Sequence, residues 1–128
     1  MIPDAPLLAS QIIVRACLFL VAAIALFGGS VQMVLGQPET SARLDNVHRF
    51  MAGVYLGTGI ICAWAGLTVR RHDMLIYLLA LGVLLAGCGR LLSIVKVGLP
   101  RPAAVWLGYL IPELLIPFIM AGAHHAGS

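Results

Sequence analysis

Charge is scarce in this sequence. Only 10% of its 128 residues are Asp, Glu, Lys or Arg, against about 25% in an ordinary soluble domain. Aromatic residues stand at 7%. The net charge of +3 comes with no basic run longer than Arg70-Arg71, so the electrostatic footprint of a nucleic-acid partner is missing. Cysteines number three, Cys17, Cys62 and Cys88, with no CxxC spacing, which excludes a zinc site or a redox pair of that kind. Each lies in an apolar stretch and reads as a small buried hydrophobe. No nucleophile–base arrangement is legible. No metal site is expected: single histidines among scattered carboxylates lack ligand spacing, and His124-His125 falls beyond the last apolar run. No cofactor is implied, and the chain shows neither internal repeat nor low-complexity tract.

What the sequence has is apolar surface. Hydrophobic residues make up 61% of it and the mean hydropathy is +1.01. A water-soluble enzyme domain and a disordered segment are excluded by those figures. Counting between charges locates the spans. Ala16 to Pro38 holds 23 residues without a charge, and Phe50 to Val69 holds 20. About 20 apolar residues cross a ~30 Å hydrocarbon core as a helix. Met74 to Gly89 offers 16 before Arg90 and continues apolar to Val95. Pro102 to Ala123 is interrupted by Glu113 alone. The expectation is an all-α, integral membrane four-helix bundle forming one domain over 1–128. Its antiparallel up-down spans lie near 13–36, 47–69, 74–96 and 102–123, joined by short loops. Open strands are no alternative, because lipid leaves their backbone groups unsatisfied.

The connectors agree. Gly36-Gln37-Pro38-Glu39-Thr40-Ser41 is a helix-breaking cluster, with Thr40 or Ser41 as N-cap of the second helix. Arg70-Arg71-His72-Asp73 makes a tight turn, and Gly98-Leu99-Pro100-Arg101-Pro102 ends the third helix and starts the fourth. A cleaved secretory signal ending near Gly28-Gly29-Ser30 is the rival organisation. Asp4, and Arg15 as the lone positive charge before the apolar run, argue against it. Orientation is nearly balanced, with Arg15, Arg70 and Arg71 on one side and Arg43, Arg49, Lys96 and Arg101 on the other. The crowding of two arginines in the short 70–73 turn favours cytoplasmic termini. The placement that follows is multi-pass.

Small residues mark the packing. Gly53 and Gly57 form a GxxxG in the second helix, and Gly87 and Gly89 stand in the third, so these glycines are expected to pack helix two on helix three within one chain. A dimer interface is the sharper alternative. Trp64, Trp106, Tyr77 and Tyr109 serve as either interface or core aromatics.

Two charges lie inside spans. Arg90 is about 10 Å from its helix end and Glu113 about 15 Å into the fourth helix, both measured from the same membrane face. A charge at mid-helix costs about 2.5–3.5 kcal/mol on insertion scales, so such residues find partners. An Arg90–Glu113 contact is geometrically reasonable. The competing possibilities are Arg90 snorkelling to the interface, and Glu113 as a neutral acid bonded to a backbone carbonyl. Pro112 and Pro117 withhold donors from the carbonyls of Gly108 and Glu113, which predicts a kinked or opened helix around the acid. Trp106, Tyr109 and Glu113 share one face. On the second helix Asp45, His48 and Arg49 share another, either as an interfacial ion pair or as a polar mouth leading toward Arg90 and Glu113. The candidate buried polar or ligand site is therefore Arg90, Glu113, Arg49, His48, Tyr109 and Trp106.

Three stretches together carry a resemblance: Asn46-Val-His-Arg49-Phe-Met-Ala-Gly53-Val-Tyr-Leu-Gly57, then Gly87-Cys-Gly89-Arg90-Leu-Leu-Ser93 with Gly98-Leu-Pro100, then Pro112-Glu113-Leu-Leu. From about Leu44 to Ala121 the chain resembles a bacterial family of small four-helix membrane proteins, the domain of unknown function 4345. The resemblance implies Arg49, Arg90 and Glu113 as characteristic polar positions and brings no activity with it. A looser likeness to DoxX-type membrane proteins implies the same bundle shape.

Three functions compete. One is a non-catalytic bundle that binds a lipid-like molecule or serves as accessory subunit of a larger membrane complex. The second is an intramembrane enzyme acting on a hydrophobic substrate through Glu113, with Arg90 holding its charge state. The third is a proton or small-solute pathway through Arg49, Arg90 and Glu113. Loops this short favour the first, with membrane lipids and other membrane protein subunits as partners.

Overall fold

In the computed structural model, residues 8–36, 38–100 and 102–127 are described. Asp4, Gln37 and Arg101, named above, lie outside them. The elements are α1 (Ala9–Leu35), α2 (Ala42–Leu67), a single 3-10 turn (Val69–Arg71), α3 (Met74–Val97) and α4 (Ala103–Ala126). All four α-helices are long and apolar enough to cross a membrane. The chain is an all-α, four-helix, multi-pass membrane protein.

Local chemistry sets the ends. Ser41 Oγ accepts from the Leu44 amide at 3.2 Å, so α2 starts at Ala42, in the polar segment ahead of its apolar run. Thr68 closes the same helix by donating its hydroxyl to the Trp64 carbonyl at 2.8 Å. Gly98, at φ +116°, ends α3 in a conformation side-chain-bearing residues rarely adopt. Pro102 caps the start of α4. That helix runs unbroken from Ala103 to Ala126 through both internal prolines. The predicted opening around the acid therefore reduces to two carbonyls, Gly108 and Glu113, without an intrahelical donor.

Two compact units make up the chain. One, Leu18–Thr68, contains most of α1 and all of α2, antiparallel and in close contact. A Cβ on Gly29 would lie 3.1 Å from the Ala52 carbonyl oxygen and 3.2 Å from the Leu56 amide. A Cβ on Gly59 would lie 2.8 Å from Leu26 Cγ and 3.2 Å from the Leu26 amide nitrogen, and one on Gly66 would lie 2.7 Å from the Phe19 ring. Membrane helices gain from such backbone approach because lipid competes equally for apolar side chains. The GxxxG glycines are not among these close points within the unit: a Cβ on Gly57 would meet nothing within 4 Å, and one on Gly53 would make an ordinary contact with Met33 of α1 at 3.6 Å.

The other unit comprises the described residues up to Cys17 and from Val69 onward. Here α3 and α4 pack antiparallel. Gly87 is the close point: a Cβ there would lie 3.0 Å from Leu114 Cδ2 and 3.2 Å from the Glu113 carbonyl carbon. Gly89, two residues on, points the other way and has nothing within 4 Å. Helical geometry allows only one of the two to face α4. Cys88 is likewise exposed, a correction to its reading as buried, whereas Cys17 and Cys62 are buried as expected. Val14, Ile76 and Met120 are fully buried. Large apolar side chains such as Leu78, Leu85 and Phe118 stay exposed, as a lipid-facing surface requires.

Candidate functional site

Arg90 follows Gly87 by three residues, so the close approach that Gly87 permits brings the arginine alongside α4 at Glu113. Arg90 Nε donates to Glu113 Oε1 in a direct ion pair. The arginine side chain is 26% exposed and the glutamate 12%. A single buried charge would be uncompensated in hydrocarbon; together the two sum to zero and share a hydrogen bond. Snorkelling of Arg90 away from its partner is not what the chain adopts.

The aromatics complete this arrangement. Arg90 Cζ lies 5.2 Å from the Tyr109 ring centroid and 5.9 Å from that of Trp106. The two rings are tilted against each other, their centroids 6.1 Å apart. They follow Glu113 backwards along α4 at four and seven residues, one helix face, and the guanidinium lies against their π-surfaces as a cation–π partner. Four sequence-predicted residues thus meet in one place: Arg90, Glu113, Trp106 and Tyr109.

Two further features belong to the same place. Glu113 Oε2 is buried and has no hydrogen-bond partner among the described residues, leaving an acceptor unsatisfied. Beside the guanidinium lies a cavity of about 100 Å³ lined by Arg90, Ser93, Ile94, Pro100 and Trp106. Ser93, Ile94 and Pro100 belong to the site although sequence reasoning did not select them. Ser93 is three residues after Arg90, and Pro100 follows the Gly98 break, so spacing alone could have found the first.

Arg49 and His48 belong to the other unit. There Arg49 Nε bonds both carboxylate oxygens of Asp45, at 3.0 and 3.1 Å, and Nη1 donates to the Met33 carbonyl at 2.5 Å. Met33 is in the last turn of α1, where carbonyls have no helical donor. Gly36, at φ +66°, bonds the Gln32 carbonyl and finishes the same helix end. Arg49 is a tie between α2 and the end of α1, a structural task that the sequence did not reveal. His48 makes none of these contacts, and its Nδ1 is buried without a hydrogen-bond partner among the described residues.

The chain belongs to the family described as domain of unknown function (DUF4345), whose model matches residues 8–124. No curated protein and no solved structure matches it.

Proposed function

We propose that this member of the family is a non-catalytic protein of the bacterial cytoplasmic membrane that holds a lipid-like molecule at Arg90 and Glu113. The observation that carries this reading is the neutral Arg90–Glu113 pair, backed by Trp106 and Tyr109 and bordered by the cavity of about 100 Å³. A lipid-like molecule can lay a small polar head against the guanidinium edge and the Ser93 hydroxyl. Its tail then follows the exposed apolar side chains of α3 and α4 into lipid. Because the pair already sums to zero, an uncharged head avoids leaving a net charge in hydrocarbon. Extraction of the full chain with its surrounding membrane, followed by mass spectrometry of the released lipids, tests this. Enrichment of one uncharged amphiphile over the bulk membrane supports the reading, and a bulk composition rejects it.

A second reading, an accessory subunit of a larger membrane complex, is favoured by one face of α3. Gly82, Ala86, Gly89 and Ser93 recur at helical spacing and are all exposed. Small residues in that pattern let another helix approach closely. The same extraction distinguishes the two, since a stoichiometric second membrane protein in place of a lipid supports the subunit role.

A further inference from the structure

A second cavity, of about 90 Å³, lies in the same unit at the opposite end of α3 and α4. Its polar lining is Ser10 and Gln11 from the first turn of α1, Arg70 and His72 from the connection before α3, and His124 from the end of α4, over a floor that includes the fully buried Val14. None of these residues takes part at Arg90 and Glu113. We infer that this cavity is a phosphate-group site, occupied by the headgroup phosphate of an anionic membrane lipid.

The chemistry of the lining is one-sided. It contains a guanidinium, two imidazoles, a hydroxyl and a carboxamide, and no carboxylate. Gln11 Oε1 already accepts the Leu8 amide at 3.0 Å, so the carboxamide turns its NH2 group to other partners. His124 is fixed in place: Nε2 lies 2.8 Å from Asp73 Oδ1, and Tyr77 packs edge-on against the ring at 4.9 Å between centroids. A carboxylate only accepts, so the Asp73 contact places a proton on Nε2. Gly127 lies directly against the Ser10 hydroxyl, holding the start of α1 to the end of α4.

Position gives the source of the phosphate. The polar lining residues stand at or near the ends of the membrane-crossing helices, and the ends of such helices meet the lipid headgroups. Basic pockets at that depth attract anionic headgroups. The volume holds a few waters or one small anionic group, far less than an acyl chain. The first-turn amides of α1 add their partial positive charge from the same side.

The test uses the purified full chain in neutral detergent, titrated with phosphatidylglycerol, phosphatidylcholine or inorganic phosphate. Bound lipid is counted by native mass spectrometry, with the unfolding midpoint as second readout. Phosphatidylglycerol should bind and raise the midpoint, and phosphatidylcholine should not. Arg70→Gln should weaken phosphatidylglycerol binding about fivefold, as loss of one headgroup-level cation predicts. Arg71→Gln removes the same charge from a residue outside the cavity and should change it less than twofold. His72→Gln serves as the second variant if Arg70→Gln misfolds. Saturation by inorganic phosphate with the same Arg70 dependence would keep the phosphate site and reject the lipid as its source. Equal weakening in Arg70→Gln and Arg71→Gln, or equal binding of both lipids, would overturn the proposal.

Discussion

Arg90 on α3 and Glu113 on α4 are joined by a direct hydrogen-bonded ion pair, with the guanidinium lying against Tyr109 and Trp106. Breaking a buried pair by removing one partner costs about 3–5 kcal/mol, because the other charge is left uncompensated. Glu113→Gln should therefore lower stability by about that amount in the wild-type background and by much less when Arg90 is already Met. A double-mutant cycle on reversible unfolding in detergent should yield a coupling of about 1–3 kcal/mol. Additive effects would mean that the contact contributes nothing of its own.

Gly87 separates close packing from mere smallness. A Cβ at this position comes within 3.2 Å of backbone on α4, so Gly87→Val should destabilise the α3–α4 hairpin by about 1–3 kcal/mol. A Cβ on Gly57 or Gly89 would meet nothing within 4 Å, so Gly57→Leu and Gly89→Leu should leave the unfolding midpoint of the isolated chain almost unchanged. Comparable losses at all three positions would show that the outward glycines also pack in the folded chain.

These glycines show what was legible in the sequence. The four helices followed from the distance between charges, since a crossing helix has a minimum apolar length and charges at its ends. The Arg90–Glu113 pair followed too, because two charges at similar depth on consecutive antiparallel helices can scarcely avoid one another. Choosing among glycines was harder. In a lipid-exposed helix both faces are apolar, so the pattern that separates inside from outside in a soluble helix is weak. Gly53 and Gly57 fitted a motif, whereas Gly29, Gly59 and Gly66 make the close contacts. Arg49 was likewise opaque, since its partner carbonyl at Met33 is 16 residues away and a backbone atom leaves no mark in the sequence.

That helix-end role makes its own prediction. Arg49→Lys keeps the charge but loses the simultaneous reach to Asp45 and the Met33 carbonyl, so it should cost about 1 kcal/mol. Gly36→Ala should cost a similar ~1 kcal/mol, as φ +66° is unfavourable for a residue with a Cβ. Thermal unfolding of both variants checks this. Wild-type behaviour of Arg49→Lys would leave the arginine with only the weak exposed pair to Asp45.

Topology can be read directly. Ser10 lies against Gly127, so the start of α1 and the end of α4 belong to one side of the membrane. With Cys17, Cys62 and Cys88 replaced, cysteines introduced at Leu8 and Gly127 should react with an impermeant reagent from the same compartment. Labelling from opposite compartments would contradict a four-span chain.

The account depends most on what occupies the cavity beside Arg90. The decisive measurement compares lipid retained per chain in wild type, Trp106→Ala and Ser93→Leu, each extracted with its native membrane and shown to be folded. Trp106→Ala removes the aromatic wall, and Ser93→Leu fills the cavity while leaving the ion pair intact. The account predicts one uncharged lipid-like molecule retained stoichiometrically by the wild type and lost from both variants. Equal retention in all three, or no enrichment over bulk lipid in the wild type, would contradict it.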